Sequence, residues 1–431
     1  MLPLSTPERI IERTVREEWG RILAALVKSV GDFQLAEDCL QEALAIALDK
    51  WRRDGLPDSP AAWLLTAARR KAIDRLRREQ NFSSKQGDIA YLMDLENSAA
   101  AAAAADEGGE GDDTAIPDKR LEMIFTCCHP ALEQKTRIAL TLRTLGGLTT
   151  EEIAAAFLDR PQAMAQRLVR AKKKIKLAGI PYEIPELDVL PERISSVLSV
   201  IYLIFNEGYS ASSGDSPVRA DLCDEAIRLA RIVAQLLPEE CEVAGLLALM
   251  LLHDSRRLTR TDDEGALIPL EHQNRRRWDR GKIDQGSQLL HQVLPKDRLG
   301  PYQLQAAISA VHAQSSSWKE TDWHQIEALY ALLYQINPSP VIRLNQSLAL
   351  SYTRSPADAL SMLEEAATSG ALENYQPFYA AKADLLARAG QKQEAEESYR
   401  SAITLSDNDS ERQFLEEKLT ALKNGSAADA G

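Results

Sequence analysis

The chain predicts an all-α fold, and three observations carry that prediction. Apolar residues recur at about 100° per residue through alanine-rich segments along most of its 431 residues. No segment shows the strict alternation of a half-buried strand. The last 130 residues or so repeat a pattern of small and large side chains at a spacing of roughly 34, the period of stacked helix pairs. With 45% hydrophobic residues the length supports three or four cores. The expected order is a helical domain at 1–80, an acidic flexible linker at 81–118, a second small helical domain at 119–180, a helical middle domain at 181–295, helical repeats at 296–424 and a disordered tail at 425–431.

In the first domain, LAEDCLQEALAIALDKW places Leu35, Cys39, Ala43 and Ile46 on one side of a helix and Asp38, Gln41, Glu42 and Asp49 elsewhere. The next helix, AAWLLTAARRKAIDRLRRE, puts Leu65, Ala72 and Leu76 on its apolar stripe, with Trp63, Arg70, Asp74, Arg77 and Arg78 pointing away. An indole beside guanidinium groups stacks on unpaired bases while the cations hold phosphates. The competing reading packs Trp63 in the core and pairs Asp74 with Arg70 and Arg78 one turn away. A carboxylate-bearing face beside a cationic one suggests a protein partner next to DNA.

The segment 81–118 sums to a charge of about −8 and includes an alanine run followed by Gly, Asp and Glu. It buries too little apolar area to offset chain entropy, which predicts a linker; Tyr91 and Leu92 are its candidate local anchor. RLEMIFTCCHPAL follows. Cys127, Cys128 and His129 invite a metal, but adjacent cysteines rarely chelate one ion and no C-x-x-C pair exists in the chain. No metal or other cofactor is expected.

LTTEEIAAAFLDRP supplies Thr149 as N-cap with Glu152 three residues later, a capping box. Pro161 suits the first turn of the next helix, where its missing N–H would be unpaired anyway. That helix, residues 160–176, holds seven Lys or Arg and no carboxylate. Met164, Leu168, Ala171 and Ile175 form one stripe, and Gln162, Gln166, Arg170 and Lys173 fall opposite, free to enter a groove. Capped helix, tight turn and Pro-initiated basic helix form the helix-turn-helix pattern.

These phrases, in this order and with an acidic spacer between them, resemble regions two and four of an extracytoplasmic-function RNA polymerase sigma factor of the sigma-70 family. The resemblance covers roughly residues 1–180. It implies that Asp38, Gln41 and Glu42 dock core RNA polymerase. It implies that Trp63, Arg69, Arg70, Asp74 and Arg77 belong to the helix that melts and reads the minus-ten element of promoter DNA. Gln162, Gln166, Arg167, Arg170 and Lys173 would read the minus-thirty-five element. Arg70 stands where many members carry Asn. The linker either threads the polymerase cleft, as in the family, or serves as a solubilising tether. IPDKRLEMIFTCCHPAL resembles a signature of one subgroup, in which a long helical extension follows region four.

Residues 1–80 sum to about +1 and 119–180 to about +7, so the whole net charge of −13 lies after residue 180. A chain with that net field repels phosphate unless polymerase presents both helices together.

Prolines at 181, 185 and 191 mark the boundary to the extension. Its apolar run Ile201 to Phe205 is too short to span a bilayer and no signal peptide opens the chain, so a cytoplasmic protein is expected. NEGYSASSGD and RRLTRTDDEGALIPLEHQNRRRWD are its polar phrases. Glu207, Tyr209 and Ser210, or Arg256, Arg257 and Trp278, with Asp262, Asp263 and Glu264 nearby, either line a ligand pocket or form turns and inter-helix ion pairs. No nucleophile, base and orienting group stand at a credible spacing, so no enzyme is expected.

In the last segment Tyr379, Ala383, Leu386, Gly390, Ala395, Tyr399 and Ala402 fit the tetratricopeptide pattern. Ala349 and Tyr352 stand 34 residues before Ala383 and Leu386; Ala359, Leu363 and Ala366 stand 36 before Ala395, Tyr399 and Ala402. A degenerate copy runs from Tyr302 through Ala328 and Leu332 to Pro338. Stacked repeats offer a concave face to an unidentified protein partner, or cap the middle domain. The functional expectation is a sigma factor with a regulatory helical extension; the alternative is a one-component helix-turn-helix regulator with a repeat tail for protein interaction.

Overall fold

The structure, a computed structural model, describes residues 6–80, 118–157, 159–209, 220–262, 268–294, 298–368, 370–406 and 409–428. The expected linker with Tyr91 and Leu92, together with Ser210, Asp263 and Glu264, lies outside the described residues, apart from Asp118 at the linker's end. The described chain is all-α, with short 3-10 turns and no β-strand. It divides into two compact units, Met1–Val200 and Ile201–Gly431.

In the first unit α1 (Thr6–Val30), α2 (Phe33–Asp54) and α3 (Pro60–Gln80) pack together around Ile22, Leu23, Leu26, Leu40 and Leu64. Burying each such side chain contributes roughly 1.5–3 kcal/mol before chain entropy is counted. The Asp32 carboxylate starts α2 by accepting from the backbone N–H groups of Gln34 and Leu35. Cys39 and Ala43 are buried as their spacing predicts, but Ile46 is 38% exposed. The buried stripe of α2 is centred on Leu40, Ala43 and Ala47, and Ile46 stands one position, about 100°, round the helix from Ala47.

Four helices follow: α4 (Arg120–Cys127), α5 (Gln134–Thr144), α6 (Thr150–Ala156) and α7 (Pro161–Leu177). The capping box is made in both directions, Thr149 N donating to Glu152 Oε2 at 2.7 Å and Glu152 N to Thr149 Oγ1 at 3.1 Å. Pro161 opens α7, and Met164, Leu168, Ala171 and Ile175 are all buried. Helix α1 packs on α4 and α5 as well as on α2 and α3. Gly20 makes this approach possible, because a Cβ there would lie 2.9 Å from the Leu145 carbonyl oxygen. The two small helical domains are therefore joined by direct packing and not by the linker alone.

Helix α8 (Leu190–Tyr209) contains the division between the units. In the second unit α10 (Cys241–Asp254) is buried on nearly every side, by α9 (Ala220–Leu236), α11 (Arg280–Val293) and α12 (Pro301–Gln314). That burial explains its almost continuous apolar run. Helix pairs then stack: α13 (Trp323–Ile336) on α14 (Pro340–Thr353), α14 on α15 (Pro356–Ala367), α16 (Gln376–Arg388) on α17 (Lys392–Thr404), and α17 on α18 (Asp409–Ala428). Ala349, Ala359, Leu363, Ala383, Leu386, Ala395, Tyr399 and Ala402 are buried where the repeat puts them. Tyr352 departs from that register. It is exposed and stacks on Trp323 at 4.1 Å with the Arg388 guanidinium 4.5 Å from its ring, because the preceding helix supplies an aromatic partner outside the core.

Candidate nucleic-acid interface

The α2–α3 connection builds a cleft. Gly55 ends α2 at a φ of 92°, and residues 54–58 line an open cleft of about 300 Å³ together with Lys50, Trp51 and Trp63. Trp51 is buried and Trp63 half-buried, their rings edge-on at 5.4 Å, with Lys50 Nζ 5.7 Å from the Trp63 ring. Trp63 is thus both packed and presented, a combination that neither sequence-level reading contained. The Trp51 indole N–H is buried without an acceptor. A cleft with two indole walls and a cation suits a flat aromatic ring.

Along α3, Arg70, Asp74 and Arg77 are exposed. Arg69 is half-buried with its Nε buried and unpartnered, and burial lowers its pKa. The carboxylates of α2 face α3. Arg75 Nη1 lies 3.6 Å from Asp38 and its Nη2 pairs with Glu42, while Lys71 Nζ lies 3.6 Å from Glu42. Gln34 Nε2 also donates to Asp38 at 2.8 Å. Gln41 is exposed beside them. Sequence spacing along a single helix could not reveal these cross-helix pairs.

On α7, Gln162, Gln166, Arg170 and Lys173 are exposed, opposite the buried stripe. Arg167 is half-buried, and its Nη1 donates to Asp159 at 2.6 Å across the turn that precedes the helix. Arg167 therefore braces the turn, while the other four side chains line the open face.

Glu37 is a buried contact residue that sequence spacing did not single out. Its carboxylate is buried between the two small domains, where Arg143 Nε donates to it at 2.6 Å and Lys172 of α7 pairs with it. Burial raises the Glu37 pKa, but Lys172 and Arg143 outweigh burial and hold it below its ordinary value. Lys172 Nζ also donates to Gln34 Oε1 at 3.1 Å, and Lys176 pairs with Asp32 at 2.7 Å. Tyr182 completes the contact, its ring edge-on to Phe33 at 5.9 Å and its hydroxyl donating to the Ala24 carbonyl at 2.9 Å. The only sequence signal for Glu37 was a carboxylate one position outside the exposed set.

Cys127 and Cys128 are buried against Thr144 and Thr141, and burial pushes both thiols up, Cys128 to about 11. Among the described residues no cluster of three His, Cys, Asp or Glu is placed to hold a metal ion. No described helix is long and apolar enough to cross a membrane.

Comparison with known proteins bears on both units. Residues 15–82 match the family described as Sigma-70 region 2, residues 122–175 match Sigma-70, region 4, and residues 193–294 match a family of unknown function, DUF6596. The chain is 40% identical over 400 residues to the uncharacterized protein R00370 of Rhizobium meliloti, covering 93% of each chain. It is 29% identical over 161 residues to the ECF RNA polymerase sigma factor SigK of Mycobacterium ulcerans, covering 36% of this chain and 78% of the relative. With SigK of Mycobacterium tuberculosis the identity is 28% over 163 residues, covering 36% and 79%. No solved structure matches the chain.

Proposed function

Because the chain belongs to the extracytoplasmic-function group of the sigma-70 family and carries a helical C-terminal extension, we propose that it binds core RNA polymerase in the cytoplasm and directs initiation by melting a minus-ten element and reading a minus-thirty-five element. One observation carries the reading of the DNA face: α7 buries Met164, Leu168, Ala171 and Ile175 and presents Gln162, Gln166, Arg170 and Lys173 together. Amide and guanidinium forks of that kind pair bidentately with adenine and guanine edges in a major groove. An unpaired base from the melted strand enters the cleft of Lys50, Trp51 and Trp63, with Arg70 and Arg77 along the phosphates.

The function places a mechanical demand on the first unit. Two elements about 25 base pairs apart are separated by roughly 85 Å of duplex at ~3.4 Å per pair. A compact body of some 200 residues has a radius of gyration of about 16 Å and measures roughly 40 Å across. Reading both elements at once therefore requires α7 to leave α2 and the Glu37 pairs to open, with polymerase supplying the compensating contacts. The test is gel filtration of the full chain with core polymerase, followed by footprinting on a selected promoter. Co-elution and protection of both elements are expected; a chain that elutes apart from core polymerase refutes the reading.

A further inference from the structure

The second unit collects the polar phrases that promoter recognition leaves unused. Tyr209 at the end of α8 stacks on His253 of α10 at 5.3 Å, and His253 Nε2 hydrogen-bonds Ser309 Oγ at 2.9 Å. One turn further along α12, the His312 ring stacks on Trp318 at 5.9 Å. Two guanidinium groups lie against the Tyr209 ring, and a third binds the backbone beside His312. Arg260 lies 3.6 Å from the Tyr209 ring centre and donates to the Tyr209 carbonyl. Arg275, 5% exposed, donates to the carbonyls of His312 and Ser315 at 2.8 and 2.9 Å and to Thr321 Oγ1 at 3.1 Å. Arg256 is half-buried 5.8 Å from the Tyr209 ring centre.

The hydrogen-bond acceptors of Arg260 and Arg275 are neutral. Neighbouring Arg257 shows the usual solution, paired with Asp224 and Asp254 at 2.7 Å each. Arg275 has only carbonyl and hydroxyl acceptors, and Arg256 makes no ion pair or side-chain hydrogen bond among the described residues. Arg256 acts electrostatically on His253, Arg260, Arg275 and His312 alike, which puts it at the hub of the cluster. Among the described residues no carboxylate is among the charges acting on His253, Arg275 or His312, while Glu411 acts on Arg260. Burial first, then the arginines, pulls His312 down to about 3, so its ring is neutral. Its Nδ1 is buried without a hydrogen-bond partner.

Buried or half-buried charge is ordinarily paired, because an uncompensated cation in a low-dielectric site is costly. Among the described residues, with Glu411 set against Arg260, the cluster keeps an excess of about two positive charges, from Arg256 and Arg275. A carboxylate would neutralise only one. A phosphate monoester carries about −1.5 to −2 near neutral pH and offers three strong acceptor oxygens to guanidinium forks. We propose that this cluster is a binding site for a phosphate monoester or inorganic phosphate, held by the Arg256 fork beside the Tyr209 ring and by the Nδ1 of His312. The site is independent of the promoter reading, since every residue in it belongs to the second unit.

The full chain is titrated with inorganic phosphate, glycerol 3-phosphate and a nucleoside monophosphate, and with sodium acetate and sodium chloride at matched ionic strength, following Trp fluorescence and thermal unfolding. Saturable quenching and a raised unfolding temperature are expected with phosphate species only, and their relative affinities separate free phosphate from an esterified ligand. Arg256→Ala should weaken binding about tenfold or more, with Arg256→Lys intermediate. Should Arg256→Ala fail to fold, the His312 ring resonances of the unaltered chain, followed by NMR, must still shift saturably on adding phosphate. An equal response to acetate or chloride, phosphate affinity unchanged in both Arg256 variants, or equal competition by a single-stranded oligonucleotide lacking terminal phosphates overturns the assignment.

Discussion

Glu37 and Arg143, 106 residues apart, share a buried ion pair in which Arg143 Nε donates to Glu37 Oε1 at 2.6 Å. Lys172 joins them from the helix proposed to read the upstream promoter element. Replacing Glu37 by Ala leaves two largely buried cations facing each other, and breaking a buried pair in this way costs about 3–5 kcal/mol. Urea titration of the first-unit transition should show a loss of this size. The pH dependence follows from the depressed Glu37 pKa: its contribution is present above the ordinary glutamate range and disappears as pH falls through the lower folded-state value. Glu37→Gln should flatten that acid limb, and an unchanged acid profile would show that the pair contributes nothing.

Asp38 and Glu42 make half-exposed pairs with Arg75 and Lys71, and such pairs contribute about 0–1 kcal/mol. Reversing both to Lys should leave the helical circular dichroism nearly unchanged while abolishing co-elution with core polymerase. Normal co-elution of the reversed chain would move the polymerase contact elsewhere.

Gln166 and Arg170 are exposed on α7, away from its buried stripe. Substituting each by Ala should cost about 1–3 kcal/mol per lost base contact and relax preference at the upstream element, with the thermal transition unmoved. A footprinting titration of holoenzyme reads this directly, and preserved preference would exclude α7 as the reading helix.

The extension is expected to assist initiation. A chain ending at residue 180 would lack Tyr182, the Arg137–Ser196 hydrogen bond at 2.7 Å and the Arg193 donation to the Phe125 carbonyl, so it should be less stable than one ending at 200. The chain ending at 200 should bind core polymerase yet initiate poorly in run-off transcription at equal holoenzyme occupancy. Activity equal to or above that of the full chain would remove the positive role from the extension.

Much of this architecture was legible because it is local. The Thr149–Glu152 capping box, Pro161 at the start of α7 and the stripe of Met164, Leu168, Ala171 and Ile175 depend on residues within a few positions of one another. The repeat aligned Ala359 with Ala395 and Leu363 with Tyr399 at a spacing of 36, and all four are buried. What escaped depends on tertiary neighbours. Glu37 is buried only because Arg143 and Lys172 arrive from more than 100 residues away, and Trp51 becomes a cleft wall only once Gly55 turns the chain back. Tyr352 left its expected core position because Trp323 and Arg388 offer its ring a better partner outside. Periodicity finds the faces of a helix but not what lies against them.

The most direct test of the central claim is run-off transcription with core polymerase, with and without the full chain, on templates selected from a random library by the reconstituted holoenzyme. The account predicts discrete start sites that appear only with the chain, downstream of a shared pair of elements, and that vanish when Asp38 and Glu42 are reversed. Transcripts that do not depend on the chain, or binding of the chain to the selected DNA without core polymerase, would contradict it.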